Sequence, residues 1–344
     1  MTEETGALGL RRVFVVVAVL GSVALASIAL ATVVGPVPVS LRAALAGLRH
    51  GDAANVDYLV VFETRLPRVL LAAVVGGSLG AVGAAFQALL HNPLACPHVL
   101  GVSGGAAVAG IAALILAGRS AVHAATTVPA AAFAGAVAST FAIHGLARVG
   151  GRVHPFSLLL VGVIFNAVCA AVIMFVNALG DFYQSHGVVF WIMGNLTTQS
   201  YALVAAVAVY AAVGTLWLMT HAHRLNLLSL GDEGAAQLGV DVERTTREVF
   251  IAAALMVGVV VSVSGMIGFV GLIVPHVLRL VLGSDHRLVL PASVLGGAVF
   301  LVWADTAART ILGTTELPVG VVTAACGGPV FVWLLRRESR RMLP

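Results

Sequence analysis

Residues 69–118 read VLLAAVVGGSLGAVGAAFQALLHNPLACPHVLGVSGGAAVAGIAALILAG, fifty consecutive positions without Asp, Glu, Lys or Arg. A membrane-crossing helix needs about 20 mostly apolar residues, so this stretch holds two. His91-Asn92-Pro93 supplies the break between them. Inside the first, Gly76, Gly77, Gly80 and Gly83 recur three and four apart, spacing that lets helix backbones approach closely.

Working outward, charge-free runs at 13–41, 120–147, 153–180, 288–304 and 317–335 each have room for one helix. The run 182–223 holds one helix after a polar approach containing Gln184, His186 and Asn195. The run 249–278 carries a helix to about Ser264, then Gly265, Gly268 and Gly271, then a short apolar stretch reaching Arg279 and Leu282. The count is ten. Lipid cannot satisfy an open backbone and nothing suggests barrel strands, so the expected fold is an all-α polytopic bundle. It forms one domain, 1–344.

Composition agrees. Hydrophobic residues make up 60% of the 344 positions and charged residues 10%, against roughly 25% in a soluble domain. That excludes a soluble enzyme, a disordered chain and a nucleic-acid module. All 19 basic residues are arginine, and the net charge of +4 reflects arginines gathered at one membrane face. With the N-terminus inside, thirteen arginines fall on the cytoplasmic side and six outside. This predicts a cytoplasmic tail at 1–12, a cytoplasmic loop at 221–247 and a cytoplasmic tail at 336–344. The first span follows Arg11 and Arg12 and reads as a retained helix. Three cysteines offer neither a disulfide framework nor a CxxC motif. There is no HExxH and no phosphate-binding GxxxxGK[ST] loop, so no catalytic residue, metal ligand or bound cofactor is expected.

Four segments carry functional readings. Arg65-Leu66-Pro67-Arg68 puts two arginines on one helix face at the outer mouth, on the side that also holds Arg309. Arginine forks recognise carboxylates, while interfacial anchoring, and an i,i+4 pair of Asp305 with Arg309, are the plainer alternatives. Residues 87–97 interrupt an apolar run with Asn92, Pro93 and Pro97 at the inner face, a gate or a tight turn. Gly231-Asp232-Glu233-Gly234-Ala235-Ala236-Gln237-Leu238-Gly239 starts with acids and stops at glycine, which predicts a helix of about two turns outside the membrane. So short a helix is marginal alone and must dock on something. The fourth is the Gly-rich tract from Ser264 to Arg279.

With these segments in view the chain resembles the FecCD-type permease subunits of bacterial ATP-binding cassette importers for iron chelates, haem and vitamin B12. The likeness runs from about residue 60 to residue 337. Its landmarks are Arg65-Leu-Pro-Arg68, Gly83 to Gln87, Asn92-Pro-Leu-Ala95, Leu100 to Gly104, Leu158 to Gly162 and Trp191 to Gly194. Leu230 to Gly239, Ser264 to His276, Asp305 with Arg309, and Glu316 to Thr323 complete it. The resemblance implies a type II importer: two permease subunits, by default identical, above two ATPase subunits that hold ATP and Mg. A binding protein delivers substrate from outside. It further implies that Arg65, Arg68 and Arg309 dock that protein and that 231–239 is the coupling helix seated in the ATPase. Asn92 and Leu94 match half of an inner gate. Pro155 and Phe156 fall at its other half, where relatives carry small hydroxylated residues, a departure from the family pattern. The implied pathway follows the fifth and tenth helices, with Leu159, Gly162, Asn166, Trp191, Gly194 and Asn195 assigned to its lining.

The substrate implied is bulky: ferric siderophore first, then haem, then cobalamin, with oxyanions last because the pore segments carry no arginine. The importer would sit in the inner membrane. Two other classes compete. An intramembrane enzyme needs paired catalytic groups at depth, whereas Asp181 and Asp305 read as span-end residues. An ATP-independent channel or secondary transporter needs charges or broken helices at an ion site, for which Asn92-Pro93 is the only hint.

Overall fold

The computed structural model describes residues 9–50, 54–117, 121–149, 152–179, 182–197, 199–313 and 315–342. Arg119, Asp181 and the extreme termini of the two tails lie outside the described residues. Among the described residues the regular structure is helical apart from one two-residue antiparallel ladder, Arg148–Val149 with Arg152–Val153. Among the same residues seven helices are long and apolar enough to cross a membrane and three shorter ones are apolar, ten in all. They are α1 (Leu10–Val33), α4 (Leu66–Leu89), α5 (Val102–Ala117), α6 (Ala121–Leu146), α7 (Pro155–Leu179), α9 (Tyr201–Thr220), α12 (Val242–Ser264), α13 (Val270–Leu282), α14 (His286–Thr310) and α15 (Val319–Met342). Short helices fill the connections: α2 (Leu41–His50), α3 (Val56–Tyr58), α8 (Phe182–Ile192), α10 (Ala222–Leu228) and α11 (Asp232–Gln237). The break at Ser264 and the count of ten agree with the hydropathy reading.

The central helix is α4, buried along almost its whole length. Its glycines explain how. A Cβ on Gly76 would strike the carbonyl oxygen of Gly297 on α14, and one on Gly83 the carbonyl oxygen of Gly271 on α13. Bare backbone on both sides lets α4 lie against two neighbours at once, which is the close approach that the three- and four-residue spacing predicts.

Three elements were not expected from the run of apolar residues. The segment 182–192 is a separate helix, α8, rather than a polar approach to α9. Residues 41–50, starting where the first charge-free run ends, form an amphipathic helix for which no element was expected. Leu59–Arg65 is π-helical, with Leu66 N–H reaching back to the Val61 carbonyl. Pro67 has no N–H to continue an α-ladder, and the widened turn before it absorbs the mismatch.

Candidate functional site

Helix α4 begins beside α14's last turn and ends beside α10, and α14 runs the opposite way. Two polar constellations therefore lie at opposite ends of the bundle. One holds the docking candidates, the other the coupling candidates.

At the first end Asp305 is fully buried and receives two guanidinium groups. Arg68 Nε and Nη2 both lie 3.0 Å from Oδ1, and Arg309 Nε donates to Oδ2 at 3.0 Å. Arg68 Nη1 reaches Glu316 at 2.7 Å, and that carboxylate is 51% exposed. Two positive and two negative charges thus close a neutral cluster, the condition under which buried charge is tolerated. Arg65 takes another route. Its Nη1 and Nη2 donate to the carbonyls of Val33 (2.6 Å) and Val37 (2.5 Å), covering an acceptor left open at the C-terminus of α1 and another in the turn after it. Gly35 is required there, because a Cβ would occupy the guanidinium's place. The structure brings Arg68 and Arg309 together and sends Arg65 to different partners, although 65 and 68 share a face in a regular helix. All three guanidinium groups are buried rather than presented on an open face. Asp305, read from sequence as a span-end residue, is the hub of the network because α14 continues past it to Thr310.

At the arginine-rich end lie α10 and α11, the latter holding the coupling candidates 231–239. Gly231 (φ +96°) turns the chain between them. The end of α11 is a Schellman cap: Val240 N–H bonds to the Ala235 carbonyl and Gly239 N–H to that of Ala236, both at 3.0 Å. Gly239 sits at φ +85°, conformation that glycine adopts without steric cost. Ala235 is fully buried, while Glu233, Ala236, Gln237 and Leu238 are exposed. Gly234 and Asp232 are half-buried.

Three polar ties join this segment to the bundle, and sequence reasoning found none of them. His221 lies 2.9 Å from Glu248 on α12. Asn226 donates to Asp285 at 2.8 Å and accepts the His286 N–H at 2.7 Å, gripping the N-cap of α14. Partial burial pushes the Asp285 carboxyl up, but hydrogen bonds from Arg287 and Asn226 outweigh it and hold the group at about 2. His91 bonds to the Leu228 carbonyl and stands 3.9 Å from Asp232. The signal that could have found it is its neighbour, since His91 opens the irregular 91–97 segment.

That segment is a tight turn with a strained entry. His91 adopts φ +48°, uncommon for a residue with a Cβ. Asn92 Oδ1 accepts the Leu94 N–H at 2.8 Å, and the Asn92 carbonyl accepts that of Ala95 at 3.0 Å. Leu94 is 39% exposed. Asn92 lines a cavity of about 370 Å³ with Gln87, His91, Ser229 and Arg279. Pro155 occupies the first position of α7, where its missing N–H costs nothing. Phe156 beside it is 75% exposed and does not line that cavity.

The lining candidates divide. Gly162 is a packing glycine: a Cβ there would meet the Leu100 backbone at 2.8 Å. Leu159 packs against the core, and Asn166 donates to the His98 carbonyl. The exposed stripe of α7 is instead Phe156, Leu160, Val163, Ile164 and Val168. Trp191 is half-buried, and Gly194 (φ +71°) and Asn195 sit against the turn after α12, where Asn195 N–H bonds to Ser264 at 2.9 Å. Gly320 at the start of α15 closes on the same place, because a Cβ would overlap the Met193 carbonyl.

The sequence profile of the FecCD transport family matches residues 23–337. The chain is 42% identical over 287 residues to the vitamin B12 import system permease protein BtuC of Vibrio cholerae, covering 83% of this chain and 85% of that protein. To the hemin transport system permease protein HmuU of Yersinia pestis it is 39% identical over 278 residues, covering 80% and 83%. A solved ABC transporter, described as of the metal-chelate type and inward-facing, superposes with a TM-score of 0.78 at 28% identity. That match covers 94% of this chain and 99% of the other.

Proposed function

Because the chain belongs to the FecCD transport family, as an ABC importer permease with many membrane-embedded helices, we propose that it carries a bulky metal chelate inward by alternating access. It would do so as half of a permease pair above two ATPase subunits that bind ATP and Mg, with a binding protein delivering the substrate. The observation that carries this reading is the triple tie of the coupling segment. A helix of six residues cannot hold its shape alone, and α10 just before it is tied by polar contacts to the turn after α4, to α12 and to α14, while Asp232 of α11 itself approaches His91 at 3.9 Å. Movement imposed on its exposed face by an ATPase would reach the Asn92–Leu94 turn through His91. The arginine-rich end is then cytoplasmic, and the membrane the inner one.

At the far end, docking follows a modified route. Arg65 and Arg309 support the site, while the half-exposed Glu316 is the partner of Arg68 that an incoming carboxylate from the binding protein can displace. The apolar stripe of α7 and the exposed Val321 and Val330 of α15 supply pathway and pairing surface.

Among substrates, a tetrapyrrole-type chelate, cobalamin or haem, now ranks ahead of a ferric siderophore. The reason is that relatives at about 40% identity are named for vitamin B12 and hemin. Reconstitution in proteoliposomes with the ATPase and binding protein, offering cobalamin, haem and a ferric siderophore in parallel, tests both levels. ATP-dependent accumulation of one of the first two is expected. Faster siderophore uptake would reverse the ranking, and uptake without the ATPase would revive the channel reading.

A further inference from the structure

We propose that the groove between α9 and α12 is a binding site for an anionic phospholipid of the leaflet at the arginine-rich end. Two helical stripes build it. Tyr210, Val213 and Trp217 come from α9, and Arg247, Ile251 and Leu255 from α12, spaced one turn apart on each helix. The groove encloses about 390 Å³ and runs from mid-membrane towards the end where α10 begins. Its walls are apolar up to the mouth, where Trp217 is half exposed and Arg247 exposed.

The mouth holds the discriminating chemistry. Arg247 makes no ion pair among the described residues. Glu248, next in sequence and also lining the groove, is already engaged by Arg244 at 2.8 Å, by His221 at 2.9 Å and more loosely by Arg224 at 3.9 Å. Glu243, one turn earlier on α12, forms no ion pair with Arg247. Glu248 is thus taken up by two arginines and a histidine, which leaves the Arg247 guanidinium without an ion-pair partner among the described residues beside an apolar slot. An acyl chain matches the slot and a phosphate matches the free guanidinium, with the Trp217 indole at the depth where aromatic rings favour the headgroup boundary. Two other apolar grooves on the bundle, one lined by Trp303 and Val277 and one by Leu70 and Ala208, carry no charged residue. Those fit hydrocarbon without regard to headgroup.

The test is native mass spectrometry of the full chain in detergent, titrated with phosphatidylglycerol or phosphatidylcholine of matched chain length. A cation near an anionic leaflet favours it by an amount equivalent to about fivefold in affinity, so wild type should retain the anionic lipid about fivefold more than the neutral one. Arg247→Glu should abolish that preference, and Arg247→Lys should keep most of it. Ala252→Trp, which fills the slot, should lower retention of both lipids. An undiminished preference in Arg247→Glu, or unchanged retention in Ala252→Trp, would overturn the proposal. So would either variant converting a lipid-free dimer to monomer, since the groove would then seat a second copy of the chain.

Discussion

His91 sits in a conformation that side chains avoid and spends its imidazole on a carbonyl across a helix junction. Asparagine tolerates the left-handed region but is too short to reach Leu228. The substitution His91→Asn should therefore preserve the turn, lose one hydrogen bond worth about 1 kcal/mol, and cut ATP-driven uptake several-fold while ATPase binding stays intact. Uptake at the wild-type rate in proteoliposomes would remove His91 from the coupling path. Asp305 makes the opposite kind of residue prediction. Replacing it with Asn strips charge from beneath two buried guanidinium groups, and breaking a buried pair costs about 3–5 kcal/mol. Unfolding in detergent should register that loss, and a stability within about 1 kcal/mol of wild type would mean the network is dispensable. The order of the spans puts Arg65, Arg68 and Arg309 at one end, and in the structure Arg68 and Arg309 meet there on Asp305. That order could not foretell their burial, because the acceptors at Val33 and Val37 and the carboxylate of Glu316 are brought in by other elements.

At the scale of elements, α11 was legible because its punctuation is local: acids at the start, Gly239 at the stop, polarity too high to span. The Schellman bonds are a consequence of that glycine. The face it presents was not legible, since Ala235 and Ala236 are identical in sequence terms. Only Ala236 is exposed, so Ala236→Trp is the clean probe. It should leave the helices inserted and abolish substrate-stimulated ATP hydrolysis, read by phosphate release from the assembled complex. Ala235→Trp should instead loosen the packing of α11 on the bundle and appear as lowered thermal stability. If Ala236→Trp hydrolyses ATP and transports normally, the exposed face of α11 is not where the ATPase sits. Elements α2, α8 and the π-helical turn escaped the reading of charge-free runs. That reading reports where a chain can be buried, not where a helix kinks or lies across the membrane surface.

Across the whole molecule, antiparallel α4 and α14 fix which ends belong together, and one labelling experiment tests the sidedness. With Cys326 replaced, a cysteine at Ser229 should react with an impermeant maleimide only from the cytoplasmic side, and one at Ser185 only from outside. The reverse pattern would invert the arrangement and the coupling reading with it. The sequence by itself determined that the chain is a membrane bundle of ten apolar helices, where most of them break, and which family it resembles. Each of these rests on a quantity local to the chain: apolar run length, charge bias or motif order. Tertiary structure alone decided that Asp305 is a hub, that His91, His221 and Asn226 tie α10 to the bundle, and that Gly162 packs against the Leu100 backbone. Those facts depend on contacts between residues up to 237 positions apart. In a bundle so rich in alanine and glycine many helix faces are equally apolar, so which face meets which is fixed by packing and by pairing the few polar groups.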